Sequence, residues 1–444
     1  MIRALLTLAV IVLTLTAPSA QRVGYPLDEF ATRRQNLAAA LGGEGAVVMF
    51  GATDAQAGVR FRQDNDFYYL TGNEALNAAI LLETPSGRTQ LFLPAQDAVD
   101  IRYNGANWLQ ERDGAQRHGF AAIRPITELA DALARRRSVS GPALLWTRLS
   151  ERDEVNFGRY DGALNLARRL ANPFAQHVSE DAARVSMLRT QFPYLDVRDV
   201  TPYLDRLRLI KSPREIETMT RNARISSEAM VRAIQISGPG RFEYELEAEA
   251  AYWMTRHGVQ GAAYPAIVGS GPLANRWHYE DNGRQVQAGE LVVMDYGGSL
   301  DYTTIDITRT WPVSGRFSDA QLKAYRTVLE AEEAMIAAIR PGVTRAAVSK
   351  IAQDIYRRNG FDPVYAYVGH YVGMSVHDVG DWSLPFQAGM VLALEPIIDL
   401  PDQQLHIRVE DTIVVTASGA QVLTKDVPKD VAGLTRLVGT RRTD

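Results

Sequence analysis

The sequence predicts an α/β chain of two mixed domains, and three features carry that prediction. Short apolar runs alternate with amphipathic helical stretches from about residue 21 to about residue 200, the pattern of an α/β domain. A helix start is then written into Leu209-Ile210-Lys211-Ser212-Pro213. Ser212 can cap, Pro213 suits the first helical position and Glu215 completes a capping box. Past Gly261 the chain turns Gly-rich and β-like, and helix, helix, strands recur loosely twice before the end. These features divide it into a leader at 1–20, a first domain at 21–205 and a second at 206–444.

In chain order, Arg3 precedes an apolar run over residues 4–17 and the small-residue word Pro18-Ser19-Ala20. A basic start, an apolar core and small residues at a cleavage point read as a secretory signal peptide. The run is shorter than the roughly 20 apolar residues that span a bilayer. Export to the periplasm or medium is therefore expected, without stable membrane insertion once the leader is removed. The chain has no cysteine, which suits an oxidising compartment. It also removes disulfides, thiolate metal sites and a cysteine nucleophile from consideration.

Residues 27–41 read as an amphipathic helix with Phe30, Leu37 and Leu41 on its apolar side. Residues 46–50 read as a buried strand and 67–72 as a strand ending in a turn. Strands at 78–83 and 89–93 are joined by Thr84-Pro85-Ser86-Gly87. A helix at 127–137 and a strand at 143–146 follow. In the second domain, helices are predicted over 213–236 and 242–256, the first ending before Gly238-Pro239-Gly240. Two more span 317–339, stopped by Pro341-Gly342, and 345–358, stopped by Gly360; residues 390–416 are mostly strand. The chain is 46% hydrophobic, enough for large cores. Its net charge is −4 and its largest basic cluster is Arg135-Arg136-Arg137, which argues against a nucleic-acid surface.

The chemistry lies in misplaced acids. The apolar run Leu291-Val292-Val293-Met294 ends on Asp295, and Asp306 opens Asp306-Ile307-Thr308-Arg309-Thr310. A buried ionised carboxylate is costly unless paired or metal-bound, so two on neighbouring strands suggest a cation between them. Three further candidates interrupt apolar or Gly-flanked runs. They are His370 in Val368-Gly369-His370-Tyr371, Glu395 in Leu392-Ala393-Leu394-Glu395-Pro396, and Glu410 in Ile407-Arg408-Val409-Glu410-Asp411. Four carboxylates and one imidazole form a hard, oxygen-rich donor set. It suits Mn²⁺, with Zn²⁺, Co²⁺ or Fe²⁺ also compatible. Two ions roughly 3.5–4 Å apart can activate a shared water and polarise a carbonyl, which is hydrolytic chemistry.

The order Asp295, Asp306, His370, Glu395, Glu410 resembles the ligand pentad of the pita-bread metallopeptidases. Asp306-Ile-Thr-Arg-Thr and Val376-His377-Asp378-Val379-Gly380 are similar to its aminopeptidase P and prolidase branch. The word Phe61-Arg62-Gln63-Asp64-Asn65-Asp66-Phe67-Tyr68-Tyr69-Leu70-Thr71-Gly72 resembles the aminopeptidase P N-terminal domain. The resemblance implies an N-terminal creatinase/aminopeptidase P-like α/β domain and a C-terminal pita-bread catalytic domain. It further implies that Asp306 and Glu410 bridge two ions, that Asp295 completes one shell, and that His370 and Glu395 complete the other. Glu395 would be general base toward the bridging hydroxide. His278 and His377 would contact substrate and assist catalysis, and Arg408 would support the ligands from behind. One departure is Ala366, where the family often carries a substrate-contacting histidine.

The implied activity is release of an N-terminal residue that precedes proline. The nearest alternative is a prolidase restricted to Xaa-Pro dipeptides. A non-catalytic peptide-binding protein on the same fold is disfavoured, because all five ligand residues are present. Assembly into a homodimer or tetramer is implied by the resemblance alone.

Overall fold

A computed structural model describes residues 24–54, 60–137, 141, 143–174 and 179–441. The leader at 1–20 lies outside the described residues. Among those described, no helix is long and apolar enough to cross a membrane.

The first domain is built on a six-stranded mixed sheet. Its strands are β1 (Ala46–Phe50), β2 (Ala79–Glu83), β3 (Arg88–Leu93), β4 (Ala122–Pro125), β5 (Ala143–Thr147) and β6 (Leu195–Asp199), in the order β4-β3-β2-β1-β5-β6. β1, β2 and β3 pair antiparallel, while β3–β4, β1–β5 and β5–β6 pair parallel. Successive side chains of a strand point to opposite faces, and both faces are covered. Val47, Met49, Ile80 and Leu91 enter one core, whereas Val48, Leu81, Phe92 and Leu145 enter another.

Over residues 67–72, where the pattern predicts a strand, the chain instead forms the helix Asn65–Thr71. Its ends decide the matter. The Asp64 carboxylate accepts from the Phe67 N–H at 2.9 Å. Gly72, at φ 64°, closes the helix by donating its N–H to Tyr68 O. A side-chain N-cap and a left-handed C-cap satisfy the orphan groups of a short helix, and here they outweigh the β-propensity of Phe-Tyr-Tyr. The helix predicted over 127–137 is also shorter: a 3₁₀ turn, Ile126–Glu128, precedes Leu129–Ala134.

The chain leaves this domain through the helix Thr201–Leu209 and enters the second with Pro213–Ile236. Ser212 Oγ accepts from the Glu215 N–H and Glu215 Oε2 from the Ser212 N–H, the reciprocal cap anticipated from sequence. The helix Glu243–Arg256 packs beside it. Then come β7 (Gly261–Ala262), β8 (Ile267–Ser270), β9 (Leu291–Asp295), β10 (Gly298–Leu300), β11 (Thr303–Thr304) and β12 (Thr308–Pro312). The helices Asp319–Ala338 and Arg345–Asn359 open the second half. It continues with β13 (Gly369–Tyr371), β14 (Val391–Leu394), β15 (Ile397–Leu400), β16 (Leu405–Arg408), β17 (Asp411–Val415) and β18 (Ala420–Val422). The four helices cover the strands over one large apolar core containing Met230, Trp311, Tyr325, Leu392 and Ile413. Two sheets matter most for the site: β12-β9-β8 and β13-β14-β17-β18. They are joined by the bridge of Thr308 with Glu410.

Candidate metal centre

Strand register assembles the five candidates. Thr308 pairs with Asp295 on β9 and, on its other side, bridges to Glu410. On the facing sheet His370 pairs with Ala393. Glu395 lies two residues further along, hence on the same face. Ala393 in turn pairs with Thr412 on β17, so continuing that register by two residues sets Glu395 across from Glu410. Asp306 is held in the link before β12, where its backbone N–H and C=O both bond the Thr412 hydroxyl.

The resulting cluster is tight. Ligand atoms of Asp306, His370 and Glu410 all lie within 4.8 Å of one another. His370 Nε2 is 3.3 Å from Asp306 Oδ2 and 3.7 Å from Glu395 Oε1. Asp295 joins through Tyr264, whose hydroxyl lies 2.5 Å from Asp295 Oδ1 and 2.6 Å from Asp306 Oδ1. Arg408, on β16, donates to Asp295 Oδ2 at 2.8 Å and stands 3.8 Å from Glu395 Oε2. It is the cation that sequence placed behind the ligands. Arg309 ties the frame together. It donates to the Glu410 carbonyl at 2.7 Å and pairs with Asp411 at 2.8 Å, which accounts for the arginine of Asp306-Ile-Thr-Arg-Thr.

The four carboxylates of this cluster outnumber the cationic groups beside them, Arg408 and His370. Burial, then the charges of Asp306, Glu395 and Asp295, push the Glu410 carboxyl well above its ordinary range. Burial does the same to Asp295 despite the opposing pull of Arg408. At Asp306 burial is outweighed by the hydrogen bond and charge of His370, and the carboxyl falls to about 2. His370, in turn, rises to about 9 against its own burial, because Asp306 holds its proton. Like charges this close cannot all ionise without a compensating cation. Glu410 points the same way: Oε2 accepts from the Thr308 hydroxyl at 2.6 Å, but Oε1 is buried with no hydrogen-bond partner among the described residues. A buried unpaired acceptor is costly, and a divalent cation would satisfy it. The donor set and its charge therefore fit a metal centre.

Around the centre, the structure separates the other candidates. His377 lies beside the ligands, its ring centroid 4.3 Å from that of His370. Its Nδ1 bonds Asp161 Oδ2 at 2.8 Å. His278 is exposed in the turn after the 3₁₀ segment Gly271–Asn275, and makes no hydrogen bond or ion pair among the described residues. Its neighbour Trp277 anchors that turn by donating to Asp399. Ala366 is fully buried in the main core rather than lining an open subsite.

Two participants escape the sequence reading. Tyr264 sits in an ordinary-looking Ala-Tyr-Pro stretch, and nothing local marks its hydroxyl as a partner of two acids. Asp161 belongs to the other domain, so no spacing relates it to His377. A cavity of about 580 Å³ opens between the domains. Arg62, Gln63 and Arg152 line it from the first domain and Gln260, Tyr264 and Tyr302 from the second. Tyr264 thus connects the cavity to the acids.

The sequence profile of metallopeptidase family M24 matches residues 217–417. That of the aminopeptidase P N-terminal domain matches residues 30–143. A Xaa-Pro aminopeptidase of Haemophilus influenzae is 30% identical over 93% of this chain and 97% of its own length. A Xaa-Pro dipeptidase of Pyrococcus furiosus is 32% identical, but over only 49% of this chain and 64% of its own. In three dimensions, proline aminopeptidase P II from Yersinia pestis superposes with a TM-score of 0.78 at 28% identity, covering 94% of this chain and 100% of that one.

Proposed function

The chain belongs to metallopeptidase family M24, and on that footing we propose a metal-dependent exopeptidase that releases an N-terminal residue when proline follows it. The observation that carries the reading is the acid cluster with its orphaned Glu410 Oε1. Aminopeptidase rather than prolidase is favoured because the aminopeptidase likeness extends over the first domain as well.

In this reading two divalent ions sit in the cluster, and the oxygen-rich set favours Mn²⁺. Asp295, Asp306, His370, Glu395 and Glu410 would hold them. When bound, the ions lower the pKa of a water and polarise the scissile carbonyl. The chain's own residues do the rest. Glu395 is half-buried at the edge of the cluster and takes the attacking water's proton. Arg408 fixes Asp295 and stands beside Glu395, so both carboxylates keep their orientation. His377 presents its other ring nitrogen, Nε2, to the charge that develops on the carbonyl oxygen. His278, on its exposed turn, meets the substrate from the other side. The cavity between the domains accepts one end of a peptide and excludes its middle. Export, supported by the leader pattern, and a homodimeric or tetrameric state complete the proposal.

Dialysis against a chelator followed by metal titration tests it. Hydrolysis of an Xaa-Pro-Yaa tripeptide should vanish on dialysis and return with divalent metal, most strongly with Mn²⁺, at two ions per chain. Full activity in metal-free protein would refute the reading.

A further inference from the structure

His377 belongs to the second domain, but the first domain holds it. The Val376 N–H donates to Val155 O at 2.9 Å. The Ser375 hydroxyl donates to Asp153 Oδ2 at 2.8 Å. At the junction of the two domains, Arg208 and Lys211 grip Asp378 at 2.7 Å and 2.9 Å. Gly158 approaches so closely that a Cβ there would lie 2.0 Å from the His377 carbonyl oxygen. At the end of this clasp stands Asp161, in the first turn of the helix Arg159–Leu170. Its carboxylate bonds His377 Nδ1 at 2.8 Å, and the imidazole lies against the ring of the candidate metal ligand His370, their centroids 4.3 Å apart.

An imidazole has two distinct nitrogens, and the hydrogen bond made by one fixes the role of the other. A carboxylate at Nδ1 keeps the proton there, locks the ring plane and leaves Nε2 directed at the site. A helix N-terminus is favourable ground for such a carboxylate. Asp161 is also held below the usual carboxylate range, first by this hydrogen bond.

We propose that Asp161, contributed by the first domain, is the positioning residue of His377, setting its tautomer and aim for peptide hydrolysis in the second. The inference rests on the exopeptidase reading. It makes the first domain part of the catalytic apparatus as well as a wall of the cleft. The competing view is a partly exposed ion pair, a kind that often contributes nothing measurable.

Asp161→Ala, Asp161→Asn and His377→Ala variants, alone and combined, separate the two. On an Xaa-Pro-Yaa peptide, Asp161→Ala should lower kcat at least ten-fold, with KM and bound metal within two-fold of the parent. Asp161→Asn, which keeps an acceptor without the charge, should recover part of the loss. Adding Asp161→Ala to His377→Ala should cost nothing further. A readout independent of turnover comes from ¹⁵N-histidine spectra of the metal-free protein at pH 8. The parent should show His377 protonated at Nδ1, and Asp161→Ala should shift it toward the Nε2–H tautomer. An unchanged tautomer, a kcat within two-fold of the parent, or an equal loss in the His377→Ala background would each overturn the proposal. If the metal-loaded parent cleaves no Xaa-Pro peptide, the exopeptidase reading fails, while the tautomer still scores Asp161.

Discussion

Glu410 Oε1 and the Tyr264 hydroxyl summarise what single residues contribute. The first is a buried acceptor without a partner, and the second stands between two acids. Tyr264→Phe removes a donor from the carboxylates that surround the ions. Loss of such an outer-shell partner typically weakens metal binding about 10–100-fold, and a competition titration with a chromophoric chelator should read a shift in that range. Glu395→Ala should abolish turnover, because it removes a ligand and the proton acceptor together; near-normal rates would refute that role. Ala366 gives the opposite kind of result. It is fully buried, so Ala366→His overpacks the core at a cost of about 1–3 kcal/mol. A lowered Tm without gain in turnover is expected. The five candidate ligands, which the structure brings together, were legible because charge interrupts apolar strands. Tyr264 was not, because a tyrosine near such strands is unremarkable until its hydroxyl is located.

Elements show the same division. The helix Pro213–Ile236 and its capping box could be read directly, since cap, proline and acid lie within four consecutive residues. The helix Asn65–Thr71 could not, because its β-prone residues are overruled by the caps at either end. Pairing was also hidden. The bridge between Thr308 and Glu410 joins residues from different halves of the domain, and only register brings Asp295 and Glu410 to one place. The clasp on the His377 segment is a further product of tertiary contact. Gly158→Ala should force that segment away from its seat. A drop in kcat alongside a lowered Tm, both larger than those from alanine at the uncrowded Gly238, would bear this out.

At the scale of the whole molecule, buried charges join the domains. Asp66 takes Arg148, Arg159 and Arg208, and Arg208 also pairs with Asp153 and with Asp378 of the second domain. Burial alone would raise Asp66, but the three guanidiniums hold it at about 2, against an ordinary 3.8. A depressed carboxyl contributes stability that is present above its unfolded pKa and lost as pH falls through the folded one. The contribution should therefore be whole above about pH 4 and disappear toward pH 2. Thermal unfolding should show Tm falling steeply across that window; a flat Tm down to pH 2.5 would contradict it. Arg208→Met strands several buried carboxylates and should cost about 3–5 kcal/mol, measured by urea unfolding. None of this network could be read from sequence, because its members are scattered from Asp64 to Asp378.

The central claim is that this two-domain chain removes one residue from the front of a peptide at an Xaa-Pro bond. Mass analysis of the products from an Xaa-Pro-Yaa tripeptide and its Xaa-Pro dipeptide, each with Mn²⁺, tests it most directly. Free Xaa and intact Pro-Yaa should appear from the tripeptide, at a rate at least equal to dipeptide cleavage. Cleavage of the dipeptide alone, or of neither, would contradict the account.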